Sequence, residues 1–169
     1  MTVKSKIKKL NLGSGDFYLD GYTNVDIRDN CKTDIKWDLN NYPYPFKDNE
    51  FDECLLDMVL GAGIYDCIKC IKEVSRIVKK GGKIIIIGTH ALAYSSLSGL
   101  YQHNIELSEN TFIDIRIREF ELENYIKLIN QEFIYVNKWK KYIPFKKYLK
   151  IFLRGLYDDL RFEFEVIKD

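Results

Sequence analysis

Ile7-Lys-Lys-Leu-Asn-Leu-Gly-Ser-Gly15 decides how this chain is read, because an apolar strand runs without a break into a glycine turn. Glycine at 13 and 15 lets the backbone turn sharply and lets a ligand touch it where a side chain would intrude. Only Asp16 to Tyr22 separate the turn from a second strand, Tyr22-Thr-Asn-Val-Asp-Ile27, which leaves no room for a full crossover helix. A dinucleotide site needs a third glycine, a helix N-terminus for the pyrophosphate and an acid about twenty residues further on. Here the acid, Asp26, follows Gly15 by eleven residues and the helix is missing. A carboxylate at a strand end beside the turn can accept hydrogen bonds from a vicinal diol such as ribose. Those facts fit a nucleoside without phosphate.

Outward from the turn, Asp34-Ile-Lys-Trp-Asp38 reads as a third strand and Phe51 to Asp57 as a fourth. Ile64, Cys67, Ile68, Ile71, Val74 and Val78 then recur at helical spacing, closed by Gly81-Gly82. Lys83-Ile-Ile-Ile-Ile-Gly88 follows, the continuous aliphatic strand expected where helices cover both faces of a parallel sheet. Leu122, Tyr125, Ile126 and Ile129 predict a helix, Glu132 to Tyr142 a strand, and Leu160-Arg-Phe-Glu-Phe-Glu-Val-Ile167 a closing strand with one solvated face. Strands alternating with helices predict an α/β, doubly wound sheet, whose ligand sits outside the carboxyl ends of the strands near the switch in strand order.

At this point the motifs resemble a family. Leu10-Asn-Leu-Gly-Ser-Gly15, Gly21-Tyr-Thr-Asn-Val-Asp-Ile27, Asp38-Leu39, Tyr44-Pro-Phe-Lys-Asp-Asn-Glu-Phe-Asp52 and Glu73-Val-Ser-Arg-Ile-Val-Lys-Lys-Gly-Gly82 stand in the order and spacing of the class I, Rossmann-like S-adenosylmethionine-dependent methyltransferases. The likeness is closest to short members with a trimmed first crossover and covers residues 7 to 90. It implies a mostly parallel seven-stranded sheet of order 3-2-1-4-5-7-6 with the last strand antiparallel. It also implies S-adenosylmethionine as cofactor, S-adenosylhomocysteine as product, and no metal. Asn11, Gly13, Ser14 and Gly15 would belong to the cofactor site, the turn passing under the methionine part. Asp26 would bind the ribose hydroxyls, Ile27 would cover one face of the adenine, Asp38 would accept from its amino group and Leu39 would offer a backbone N–H. Asp57 and Met58 would lie near the transferred methyl.

A sulfonium makes its methyl electrophilic, so the protein mainly holds an acceptor in line and excludes water, and a strong base is optional. Related chains carry a His and an acidic-His pair after the fourth strand, where this sequence has Met58-Val-Leu-Gly-Ala-Gly63. The expected activity is methyl transfer to a small molecule or glycan. Its rivals are a cofactor-binding or regulatory protein that has kept the fold without transfer, and a nucleic-acid methyltransferase.

Composition agrees with one globular domain over residues 1–169: 169 residues, 46% apolar and 30% charged, long enough to bury a core without disulfide or metal staples. The longest aliphatic block, Ile84 to Ile87, is too short for a membrane span, and the basic N-terminus lacks the apolar centre of a signal peptide, so a cytoplasmic protein is expected. Cys67-Ile-Lys-Cys70 falls on a buried helical stripe with no second pair at zinc spacing, and reduced thiols are expected. His90, directly after the fifth strand, is the candidate proton acceptor, with His103, Tyr65, Asp66 and Tyr94 as weaker pocket candidates.

The net charge of +1 hides an uneven spread. Residues 16–73 carry thirteen acids against six bases, whereas 137–157 hold seven bases and no acid. Within that run Phe145, Tyr148, Leu149, Phe152, Leu153 and Leu156 predict a basic amphipathic helix at about 145–157, inserted between the last two strands. Its cations Lys146, Lys147, Lys150 and Arg154 could meet an anionic surface or membrane, and its apolar face could pack at home or pair a homodimer. Nucleic acid, for which Trp139 and Tyr142 would serve, ranks below these.

Overall fold

The computed structural model describes residues 7–60, 63–91, 93, 107–135, 137–145 and 158–168, with Ile115 described by its backbone alone. The strands are β1 (Lys9–Leu12), β2 (Tyr22–Asp26), β3 (Ile35–Lys36), β4 (Phe51–Asp57), β5 (Val78–Thr89), β6 (Ile126–Ile134) and β7 (Asp159–Val166). Two α-helices, α1 (Cys67–Ile77) and α2 (Asp114–Glu119), and a 3-10 turn at Lys138–Tyr142 complete the described elements. The sheet order is β3-β2-β1-β4-β5-β7-β6. Neighbours from β3 to β5 run parallel, and β7 lies antiparallel between β5 and β6. The seven-stranded, mostly parallel sheet of the sequence reading is therefore the observed one.

Alternation along the strands sends Leu10, Leu12, Cys54, Leu56, Ile84, Ile86, Phe162 and Phe164 to one face, where all are fully buried. Helix α1 lays Cys70, Ile71, Val74 and Ile77 on that face. It starts at Asp66, whose carboxylate accepts the Lys69 N–H at 2.8 Å. The Phe112 ring meets Phe162 and Phe164 edge-on at 5.0 and 5.1 Å. Among the described residues both helices share this face. The other face is a polar ladder: Lys9 to Glu53 at 3.0 Å, Tyr22 Oη to Glu53 at 2.6 Å, Lys83 to Glu163 at 3.1 Å and Arg161 to Glu163 at 2.8 Å.

Three expectations need correction. The helix read into Leu122–Ile129 is absent: Leu122 and Tyr125 lie in the turn that leads into β6, which begins with Ile126 opposite Val166. A register shift between Leu128 and Asn130 turns Ile129 out to solvent, so a bulged strand imitated helical spacing. Of residues 132–142, read as a strand, 132–134 end β6 and Lys138–Tyr142 form the 3-10 turn. Finally, α1 stops at Ile77, because Val78 is already extended and pairs with Phe51, and Gly81-Gly82 lie within β5. At Gly82 a Cβ would stand 2.8 Å from the Lys79 carbonyl oxygen and 2.9 Å from that of Asp52, which is why the bulge there takes glycine. Of the basic stretch at 145–157 only Phe145 is among the described residues. Lys146, Lys147, Lys150 and Arg154 lie outside them, as do Tyr94 and His103.

Candidate functional site

The chain leaves β1, builds β2 and β3 on one side, and returns to place β4 on the other, so the strand order switches between β1 and β4. A cavity of about 700 Å³ opens there, at the carboxyl ends of the strands. It is walled by the glycine turn, the end of β2, the Trp37–Asn40 loop, the end of β4 and the loop before α1.

The turn is built from two left-handed glycines, Gly13 at φ 67° and Gly15 at φ 51°. Gly13 N and Ser14 N both donate to the Val25 carbonyl, at 2.8 and 3.0 Å, which folds the turn back over β2. A Cβ at Gly13 would stand 2.5 Å from Val59 Cγ2, so a side chain is excluded by conformation and by contact. Between the glycines, the Ser14 hydroxyl is buried and has no hydrogen-bond partner among the described residues, which costs free energy.

Asp26 holds the turn to β2. Its Oδ2 accepts the Gly15 N–H at 2.8 Å, and its Oδ1 accepts the Arg28 N–H at 2.9 Å and Arg28 Nε at 3.4 Å. Each carboxylate oxygen accepts two bonds, so Oδ2 keeps a lone-pair direction for a ligand hydroxyl. Asn11 lines no part of the cavity. Its amide is spent on the Phe17 carbonyl and Asn24 Oδ1, both at 3.0 Å, so it shapes the turn from below. Ile27 is half exposed at the rim, and Leu39, whose carbonyl accepts the Tyr44 hydroxyl at 3.0 Å, sits in the floor. Asp38 Oδ1 accepts the Asn40 N–H at 2.9 Å, and Asn40 reaches on to the Gly63 carbonyl at 2.8 Å and the Tyr65 N–H at 3.0 Å.

At the other wall, Met58 adopts φ 55° with its N–H on the Ile87 carbonyl at 2.9 Å, a left-handed non-glycine residue at the mouth of the site. Asp57 is exposed on the cavity side, and the partial desolvation that neighbouring protein still imposes holds its carboxyl above the ordinary range, with Arg161 pulling the other way.

His90 departs from its expectation. It is buried and off the cavity wall, with Nε2 3.1 Å from Glu109 Oε2, because the bridge from His90 to Leu107 turns the end of β5 toward the 107–109 segment. Thr89, not His90, reaches back toward Met58. Nor is the basic run wholly solvated, since Lys140 is buried 2.6 Å from Asp158. Cys67 and Cys70 are buried, and burial pushes the Cys70 thiol up to about 12.

Compared with solved structures, the chain matches an S-adenosylmethionine-dependent methyltransferase from Archaeoglobus fulgidus at TM-score 0.61, 15% identity, over 96% of this chain and 87% of that one. It matches a structure of the Haloferax volcanii Trm112 methyltransferase activator in complex with a methyltransferase at TM-score 0.62, 14% identity, over 99% and 85%. It also matches the 4+2 cyclase SpnF at TM-score 0.61, 13% identity, over 96% and 76%. The chain has the class I methyltransferase fold. No family model and no curated protein matches its sequence, so the likeness is one of fold.

Within the methyltransferase fold, several residues of the cavity wall carried no site role in the sequence, among them Asp16, Phe17, Arg28, Trp37, Asn40 and Val59. For Arg28 a signal existed, since a residue two beyond a strand-end carboxylate shares its side of the chain. Asn40 and Val59 had none, because their roles rest on contacts with Gly63 and Gly13, residues distant in sequence.

Proposed function

We propose that this protein is an S-adenosylmethionine-dependent methyltransferase acting on a small-molecule acceptor, with a glycan as the next candidate. The observation that carries the reading is the cavity at the strand-order switch, walled by the left-handed glycine turn with the Asp26 carboxylate beside it. These residues fit the cofactor: left-handed glycines leave the backbone bare at the cavity wall, and a strand-end acid stands ready for a diol. S-adenosylmethionine, when bound, supplies a methyl made electrophilic by its sulfonium.

The chain's own residues bind and orient. Asp26 holds the ribose hydroxyls, Ile27 covers an adenine face, and Asp38 and Leu39 read the adenine edge. Gly13, Ser14 and Gly15 face the methionine part, with Asn11 setting the turn's shape. Asp57 and Met58 border the end from which the methyl leaves. A second cavity of about 370 Å³, lined by Leu60, Ile68, Ile71, Leu107, Phe112 and Phe120 among others, shares Tyr65 with the first. Its apolar wall suits an acceptor with an apolar body and ranks a small molecule above a glycan. A nucleic acid is disfavoured, because four carboxylates (Asp16, Asp26, Asp38 and Asp57) ring the site and repel phosphate.

Calorimetric titration with S-adenosylmethionine and S-adenosylhomocysteine tests the reading. Micromolar binding, weakened at least about tenfold in Asp26→Ala, is expected from loss of the charge-assisted contacts. Folded wild-type protein that binds neither compound would overturn it. A second reading, a protein that keeps the fold without methyl transfer, has its own support: SpnF is described as a cyclase, and the sequence Met58–Gly63 stands where the family resemblance implies a His and an acidic-His pair. Cofactor binding with no transfer of labelled methyl to any acceptor screened would favour it.

A further inference from the structure

Arg28 is the one cation among the described residues that line the 700 Å³ cavity, against four carboxylates. Its side chain is half exposed, so burial does not fix its position. Instead it is braced by two acids, with Nη2 3.5 Å from Asp16 Oδ1 and Nε 3.4 Å from Asp26 Oδ1. The guanidinium lies directly over the glycine turn: a Cβ on Gly15 would stand 2.5 Å from Arg28 Nη2. Asp26 ends β2, and Asp57 and Met58 stand at the end of β4, the strands on either side of β1, so a ligand that spans them crosses the turn that the guanidinium overlies.

Charge then says what that part of the ligand carries. A cavity with four acids selects cationic groups, and a lone guanidinium among them offers one place for an anion, in the planar, two-pronged geometry that suits a carboxylate. We infer that Arg28 is the carboxylate-reading residue of the site, binding the amino-acid carboxylate of S-adenosylmethionine while Asp16 and Asp26 hold its guanidinium over Gly15. The inference rests on the cofactor reading above and adds what the acids alone cannot supply, namely selection for a ligand with an intact amino-acid end. Loss of the cation should leave the affinity for the sulfonium and ribose intact and remove only the preference for the carboxylate.

The test titrates the full chain with S-adenosylmethionine and with its decarboxylated form, which differs by the carboxylate alone. Wild-type protein should bind S-adenosylmethionine about tenfold more tightly than the decarboxylated compound, the size of one charge-assisted contact. In Arg28→Gln the ratio should fall to within about twofold, chiefly through weaker S-adenosylmethionine binding, and Arg28→Lys should restore part of it. A ratio unchanged by Arg28→Gln, a wild-type ratio near one, or equal weakening of both ligands would overturn the role of Arg28. Wild-type protein that binds neither compound would instead overturn the cofactor reading.

Discussion

Two turns leave neighbouring strands and meet across the cavity, and they are held in opposite ways. After β1, residues 13–21 carry no helix, and side-chain amides do a helix's work of satisfying the backbone. Asn24, fully buried, accepts from Asn11 Nδ2 at 3.0 Å and Leu19 N at 2.9 Å, and donates to the Leu19 and Tyr22 carbonyls and to Asp34 Oδ2. After β4 the chain relies on a left-handed Met58, the Val59 contact with Gly13, and Asn40 bridging Asp38 to Gly63 and Tyr65. The first turn is a closed polar network and the second a bridged loop. The difference teaches that a trimmed crossover still presents a rigid ligand wall, provided every freed backbone group finds a buried partner.

Breaking the network should therefore cost most. Asn24→Ala strands several buried groups at once and should lower stability by about 3 kcal/mol, read as a lower urea midpoint at unchanged slope. A loss no larger than that of Asn40→Ala would erase the contrast. Gly13→Ala comes next, at about 2 kcal/mol, from the left-handed backbone and the 2.5 Å approach of Val59. Adding Val59→Ala should relieve the contact but not the backbone, and a full rescue would show that conformation at 13 is irrelevant. Asn40→Ala should cost about 1 kcal/mol, with faster amide hydrogen exchange at Tyr65 and none at Leu19.

The smallest effects separate the turns by pH. Asp34, on the β1 side, is held below the usual carboxylate range by the Asn24 N–H. Its stabilisation is complete above its unfolded pKa near 3.8 and is lost as pH falls through the lower folded value. Asp57, on the β4 side, is raised by desolvation, so its charged form costs stability once pH climbs through the folded value. Urea unfolding across pH should show Asp34→Asn flattening the acid limb, and Asp57→Asn gaining slightly at neutral pH. Matching profiles for the two variants would mean the turns do not differ electrostatically.

How far the sequence could be read follows the same divide. The run from Leu10 to Gly15, the acid at 26 and the Phe51–Asp57 strand carry local signals, and each is where the residues foretell. Where a pattern had two physical sources the reading failed. Ile126 and Ile129 stand at helical spacing, yet a bulge at 129 accounts for it within a strand. His90 follows the strand as expected, but a bridge to Leu107, seventeen residues on, decides which way it turns.

The sequence by itself determined β1, β2, β4, the core of β5 and β7, the glycine turn and the carboxylate beside it, because these are set by neighbours along the chain and by the period of side chains. Only the tertiary structure decided that Asn11 serves the turn rather than the cavity, that Val59 closes on Gly13, that Asn40 ties two loops, and that Arg28 lies over Gly15. Those facts depend on distances between residues far apart in sequence, which packing sets and no local pattern encodes.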